Sequence, residues 1–115
     1  MLQKENRLNK TRDFEKVFKK TRPVFTKNLS IRIFPKNAPK SPFRAGFIIS
    51  NKISKLATRR NALKRQLRQI VYDLISDLKP GYDVIVTVKS DFAYPYKQEE
   101  IKAQLVEIFK KANLL

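Results

Sequence analysis

The sequence contains no cysteine and no histidine, and only two of its 115 residues are glycine. Without cysteine and histidine, disulfide bonds, thiolate nucleophiles, imidazole acid–base catalysis and the usual zinc sites are excluded. Gly46 and Gly81 are too few and too far apart for a glycine-rich phosphate-binding loop. These absences favour a protein that acts by binding and carries no catalytic residues of its own.

Acidic residues are also scarce, since 10 Asp and Glu stand against 26 Lys and Arg for a net charge of +16. Only Glu99 and Glu100 are adjacent, and neighbours on a helix point to different faces, so no metal-binding carboxylate cluster is predicted. Self-repulsion on this scale destabilises a compact state, and a polyanionic partner would relieve it. The composition therefore predicts a nucleic-acid partner, with an anionic membrane surface as the lesser alternative.

Long apolar segments are absent as well. The sequence shows no run of about eighteen apolar residues and no charged-then-apolar leader, so no membrane span or secretory signal is predicted. We therefore expect a cytoplasmic protein with no membrane partner. An apolar content of 42%, with 8 Phe and 4 Tyr, is typical of a globular chain, and the length suits one domain over residues 1–115.

The first quarter of the chain predicts a basic arm followed by a short helix. Residues 1–10 are polar and basic, which is typical of a flexible arm. Thr11 is a candidate N-cap, and Phe14 and Phe18 follow at helical spacing. The helix should end before Pro23, because the residue that precedes a proline is pushed out of the α region.

Three segments have the pattern of strands. Apolar and polar residues alternate over residues 28–34, and residues 43–50 form a second candidate strand after a proline-rich link. The short link suggests that these two strands form an antiparallel hairpin. Residues 82–89 are a nearly continuous β-branched run, which predicts a central strand covered on both faces.

Two longer helices complete the pattern. Leucine and isoleucine recur at helical spacing from Leu63 to Leu74, which predicts a helix running to about Leu78 and stopped by Pro80. A last helix is predicted from about Lys97. The predicted fold is α+β, with three helices packed on a small mixed sheet of about four strands.

The helix near the middle of the chain carries a ridge of positive charge. Arg60, Lys64 and Arg68 recur every four residues, and Asn61 lies beside them. A helix face that is merely solvated usually interleaves acids, yet the first acid after this ridge is Asp73. Like charges four residues apart repel, so phosphate groups that neutralise the ridge are the favoured explanation.

The sequence around this ridge resembles a known family. Residues 57–65 read Ala-Thr-Arg-Arg-Asn-Ala-Leu-Lys-Arg and are similar to A-x-x-R-N-R-x-K-R, the signature of the bacterial ribonuclease P protein component. Residues 6–18, 44–52 and 82–86 resemble further segments of that family in the same order. The likeness therefore spans nearly the whole chain.

The resemblance implies a protein subunit whose partner RNA is the catalyst. In that family the RNA subunit and its Mg²⁺ remove the 5′ leader of precursor tRNA, with no further protein partner required. The implied element order is α-β-β-(β)-α-β-α, with a left-handed βαβ crossover around the signature helix.

The resemblance also implies which residues contact the catalytic RNA. The matching residues are Arg60, Asn61, Lys64, Arg65 and Arg68, and helix spacing adds Arg59 to them. The second signature arginine is replaced here by Ala62. Because Arg59 lies three residues from position 62, and such residues are neighbours on a helix, we expect Arg59 to reach part of the same phosphate region.

A leader-binding cleft is implied between the first helix and the sheet, with Phe14, Phe18, Arg32 and Lys52 as its candidate residues. Both rings suit stacking on unpaired bases, and core packing is the alternative for each. Phe18 lies one turn deeper into the helix, so we expect it to be the more buried of the two.

Two other functions fit the same composition. A ribosomal or other structural RNA-binding protein would share the charge but would have no role in cleavage. A DNA-binding protein that inserts residues 58–78 into a major groove is less favoured, because strands flank that helix on both sides.

Overall fold

The computed structural model describes residues 2–115, which fold into three α-helices and a four-stranded mixed sheet. A 3₁₀ turn at Lys4–Asn6 precedes α1 (Thr11–Lys20), β1 (Val24–Phe25), β2 (Leu29–Pro35), β3 (Arg44–Ile48), α2 (Ala57–Leu74), β4 (Tyr82–Val88) and α3 (Gln98–Lys111). The predicted α+β class and element order are confirmed. Within the described range, no helix is long and apolar enough to cross a bilayer.

The sheet has the strand order β1-β2-β4-β3. The predicted hairpin between β2 and β3 is wrong, because β4 lies between them, antiparallel to β2 and parallel to β3. Val84, Ile85 and Val86 of β4 are fully buried, as predicted for a central strand. So apolar a segment is best accommodated in the middle of the sheet, where neighbours pair with both of its edges.

The two faces of the sheet are covered to different extents. One face carries Leu29 and Ile31 of β2 and Val84 and Val86 of β4, which pack with α2 and α3 into the main core. On the other face, Ile85 packs in a second, smaller cluster with residues of α1 and the N-terminal segment. Phe25 of β1 and Lys89, just after β4, lie on this face and are exposed, so the short α1 leaves part of the face open.

Two helix boundaries differ from the sequence expectation. The N-cap of α1 is Lys10, and Thr11 is the first helical residue. The second helix ends at Leu74 rather than near Leu78, and turns follow it. Leu78 is still buried in the main core, and its N–H donates to the carbonyl of Leu74. The apolar pattern in the sequence therefore extends beyond the end of the helix, because the turns that follow pack on the same core.

The N-terminal segment is packed, in contrast to the flexible arm that its composition suggested. Leu2 and Leu8 are buried, and Asn6 Nδ2 donates to the Phe43 carbonyl at 2.8 Å. The Leu8 N–H donates to the carbonyl of Ala45 in β3 at 2.9 Å. The segment thus covers the outer edge of β3, whose backbone groups would otherwise lack partners. Met1 of the predicted arm lies outside the described residues.

Candidate nucleic-acid interface

Buried leucines set the direction in which the basic ridge of α2 faces. Leu63 and Leu67 are fully buried, so Lys64 and Arg68 lie on the side of α2 nearer β3. They line a concavity of about 310 Å³ together with Arg7, Asn9 and Phe14. Arg7 adds a third cation that sequence reasoning missed, because its place beside α2 depends on how the N-terminal segment docks.

Arg60 lies closer to the turn that precedes α2. Its Nη1 donates to the Ser54 carbonyl at 2.7 Å, which ties the helix start to the preceding loop. Arg60 also lines a second concavity, of about 440 Å³, with Asn51, Lys52 and Lys55. The structure therefore brings Lys52, a candidate for the leader cleft, next to the basic ridge.

Arg59 lies on the opposite side of α2, towards α3. Its guanidinium carbon is 3.9 Å from the ring centroid of Tyr94, an exposed residue in the β4–α3 loop. Ala62 and Arg65 line a groove on this side, together with Tyr96. Arg59 thus shares a side of the helix with the position where the family signature has its second arginine, and its stack on Tyr94 holds the guanidinium there.

Tyr96 is fixed beneath this stack. Its hydroxyl donates to Asp91 Oδ1 at 3.0 Å, and its ring makes an edge contact with Tyr94. Burial, with the hydrogen bond to Asp91, raises the pKa of Tyr96 to about 12, so the phenol stays a neutral donor.

The remaining candidate residues of α2, Asn61 and Arg65, are exposed. The cationic residues of α2 therefore spread over a broad surface rather than one narrow line.

The open face of the sheet carries an exposed aromatic ring and a cation. Phe18 is 41% exposed, and the guanidinium carbon of Arg32 lies 4.9 Å from its ring centroid. Arg32 Nη1 also donates to the carbonyl of Thr21 at 2.6 Å. Because carbonyls at the end of a helix lack partners within the helix, this bond fixes Arg32 beside the ring.

Phe14 is packed more deeply than Phe18, so the expected ranking of the two rings is wrong. Phe14 is partly buried against Leu8, Val17 and Ile85, and its ring lies over Gly46. Gly46 has no side chain, which leaves room for the ring, whereas position 18 extends past the covered part of the sheet. Neither ring's leader contact is tested by this packing, and both remain predictions.

An ion-pair cluster holds one end of α1 against the sheet. Arg44 donates two hydrogen bonds to Asp83, at 2.9 and 2.7 Å, and Lys36 lies 3.2 Å from the same carboxylate. Arg44 also lies 3.6 Å from Asp13 of α1. Burial acts to raise the pKa of Asp83, but the hydrogen bonds from Arg44 and Lys36 outweigh it and hold that pKa below its usual value.

The described residues offer no ready-made metal site. Across residues 2–115, no group of three or more acidic side chains could hold a metal ion.

A family model and a relative of known family agree with each other. The family model described as Ribonuclease P matches residues 2–113. The chain is 40% identical over 116 residues to the ribonuclease P protein component of a Pseudanabaena species, covering all of this chain and 97% of that one.

Two structures of RNase P proteins show the same fold. A mutant of the protein from Staphylococcus aureus has a TM-score of 0.83 at 25% identity, and the match covers 96% of this chain and 90% of that one. The protein from Thermotoga maritima has a TM-score of 0.76 at 22% identity, covering 91% and 96% of the two chains.

Proposed function

The chain belongs to the ribonuclease P protein family, and from this premise we propose that it binds the catalytic RNA and the 5′ leader of precursor tRNA. In this role it assists the Mg²⁺-dependent endonucleolytic removal of the leader, while the RNA subunit supplies the catalyst. The single observation that carries the leader part of the proposal is the exposed Phe18 beneath Arg32 on the open sheet face.

The two surfaces have separate tasks in this proposal. Residues of the signature helix, Arg59, Arg60, Asn61, Lys64, Arg65 and Arg68, bind phosphates of the catalytic RNA. The aromatic ring of Phe18 stacks on an unpaired leader base, which needs no particular base because every base has a flat face. Arg32 lies where it can neutralise a neighbouring phosphate.

Binding at both surfaces would position the substrate for cleavage. A protein that holds the leader and the catalytic RNA at once makes the encounter of the scissile bond with the RNA intramolecular. Mg²⁺, assigned to the RNA, would supply charge stabilisation at the reacting phosphate. The chain's own part is to bind, orient and neutralise charge.

Reconstitution tests the proposal directly. Purified protein is added to bacterial ribonuclease P RNA at low Mg²⁺, and release of the leader from precursor tRNA is measured. We expect strong stimulation by the protein with RNA present and no cleavage by RNA-free protein. Absence of stimulation would favour a structural RNA-binding role, and robust metal-dependent cleavage by the protein alone would overturn the assignment of catalysis to RNA.

A further inference from the structure

A second exposed aromatic ring lies on the same open face of the sheet. Phe25 of β1 is 49% exposed and pairs with Ser30 of β2, while Val24 pairs with Ile31 and packs against the main core. Side chains alternate between the two faces of a strand, so Phe25 lies on the face opposite Val24. That is the face on which Arg32 and Phe18 meet.

A cation accompanies this ring, as it does Phe18. Lys89, just after β4, has its Nζ 5.7 Å from the ring centroid of Phe25. Ser30 and Arg32 are two residues apart on β2, a distance of about 7 Å along the strand. The open face therefore carries two aromatic–cation pairs next to each other, Phe18 with Arg32 and Phe25 with Lys89.

The chemistry of this second pair suits a single-stranded nucleic acid. A flat ring stacks on a base, and a neighbouring lysine pairs with the phosphate that links it to the next nucleotide. Two further lysines lie close to Phe25. Lys27 follows it by two residues in the chain, and Lys111 Nζ donates to the Phe25 carbonyl at 2.8 Å. The net charge of +16 favours a polyanion here over a protein partner without strong negative charge.

We propose that Phe25 and Lys89 form an additional leader subsite, farther from the catalytic RNA than the subsite at Phe18. The order follows from the fold. Phe14 shares a concavity with Lys64 and Arg68 of the RNA-binding ridge, Phe18 lies one helical turn away, and Phe25 lies beyond it at the sheet edge. This inference rests on the proposed leader-binding function of the cleft. It predicts in addition that the cleft holds a longer stretch of the leader than the subsite at Phe18 alone would hold.

The experiment uses the assembled holoenzyme and precursor tRNAs whose leaders are shortened stepwise from the 5′ end. Phe25→Ala and Lys89→Ala should weaken binding of the longer leaders, Phe25→Ala by about 5- to 150-fold, as expected for the loss of one base–aromatic stack. Below a certain leader length the effect of Phe25→Ala should disappear while that of Phe18→Ala persists. Mature tRNA should bind as before.

Control variants separate stacking from folding and general charge. Phe25→Tyr keeps a flat ring and should restore the affinity for long leaders. Lys102→Ala removes one positive charge from the exposed side of α3 and should not change the dependence on leader length. Thermal melts of each variant give the folding contribution, which should be small for Phe25→Ala because its ring is half exposed.

Three results would overturn the inference. Equal weakening towards mature and precursor tRNA would give Phe25 a role in folding or assembly. Conversion of a dimer into a monomer by Phe25→Ala, with leader affinities unchanged, would make β1 a self-association edge. Unchanged affinities for Phe25→Ala, with Phe18→Ala still sensitive to the leader, would remove this subsite alone, whereas insensitivity of both would remove the leader cleft itself.

Discussion

The ring of Phe14 lies directly over Gly46, so that a Cβ atom at Gly46 would overlap its Cζ atom. The glycine in β3 thus makes room for an aromatic side chain from α1. This contact, together with the packing of Val17 and Leu8 on Ile85, sets the height of α1 above the sheet.

Replacing Gly46 by alanine should therefore destabilise the fold. The new Cβ would overlap Phe14 and lie 2.9 Å from the Leu8 carbonyl, and relief of such overpacking costs about 1–3 kcal/mol. Urea unfolding of Gly46→Ala measures the loss. In a Phe14→Leu background the same change should cost less, because one of the two clashes is gone. An unchanged unfolding midpoint for Gly46→Ala would contradict the contact.

The two aromatic residues of α1 should separate stability from leader binding. Phe14→Ala should lower the free energy of unfolding by roughly 3 kcal/mol, because it opens a cavity under α1. Phe18→Ala should leave the melting temperature nearly unchanged and weaken precursor tRNA binding by about 1–3 kcal/mol. Thermal melts are paired with affinities for precursor and mature tRNA. Equal weakening towards both tRNAs would remove Phe18 from the leader site.

Lys64 should contribute one phosphate contact to the catalytic RNA. Lys64→Ala should reduce the slope of log affinity against log salt by about one unit, because one fewer counterion is released on binding. Lys102→Ala, which removes the same charge from an exposed position on α3, should leave the slope unchanged. The measurement is a salt titration of binding to the RNA subunit. Identical slopes for the two variants would show that the salt dependence of RNA binding is set by the total charge rather than by the position of Lys64.

Arg59 and Tyr94 should act as one unit in RNA binding. Each change to alanine should weaken binding, and the double variant should lose less than the sum, since both single changes disrupt the same stack. The coupling should be about 0.5–1 kcal/mol, the range for an exposed cation–π pair. Tyr94→Phe keeps the ring and should bind normally. Fully additive losses would mean that the stack does not position Arg59.

Asp83 should make stability depend on pH. Its pKa is lower in the folded chain than in the unfolded chain, so its contribution is fully present above about pH 4 and is lost as the pH falls through the folded value. Asp83→Asn should lower the free energy of unfolding at pH 7 by about 1–3 kcal/mol, because Arg44 and Lys36 lose a charged acceptor but stay partly exposed to solvent, and it should flatten the acid dependence. Urea unfolding at pH 7 and pH 3 checks both. Asp77→Asn, at an exposed position, serves as the control.

Much of this protein was determined by its sequence alone. The net charge of +16 predicts a polyanionic partner, and this prediction needs no structure because composition does not depend on folding. The apolar periods of α2 and α3 and the β-branched run of β4 predicted these elements correctly, since the burial of one face leaves a local pattern. The signature at residues 57–65 predicted where the basic ridge lies.

The tertiary structure decided what depends on residues far apart in sequence. Periodicity could not show that β4 separates β2 from β3, because strand pairing follows from how the whole sheet and its crossover helix pack. The same holds for the burial of Phe14 over Gly46, the docking of Leu2 and Leu8, and the stack of Arg59 on Tyr94. Each of these contacts joins two segments that are distant in sequence. The local pattern of one segment does not indicate which other segment it will contact, so only the folded structure shows the pairing.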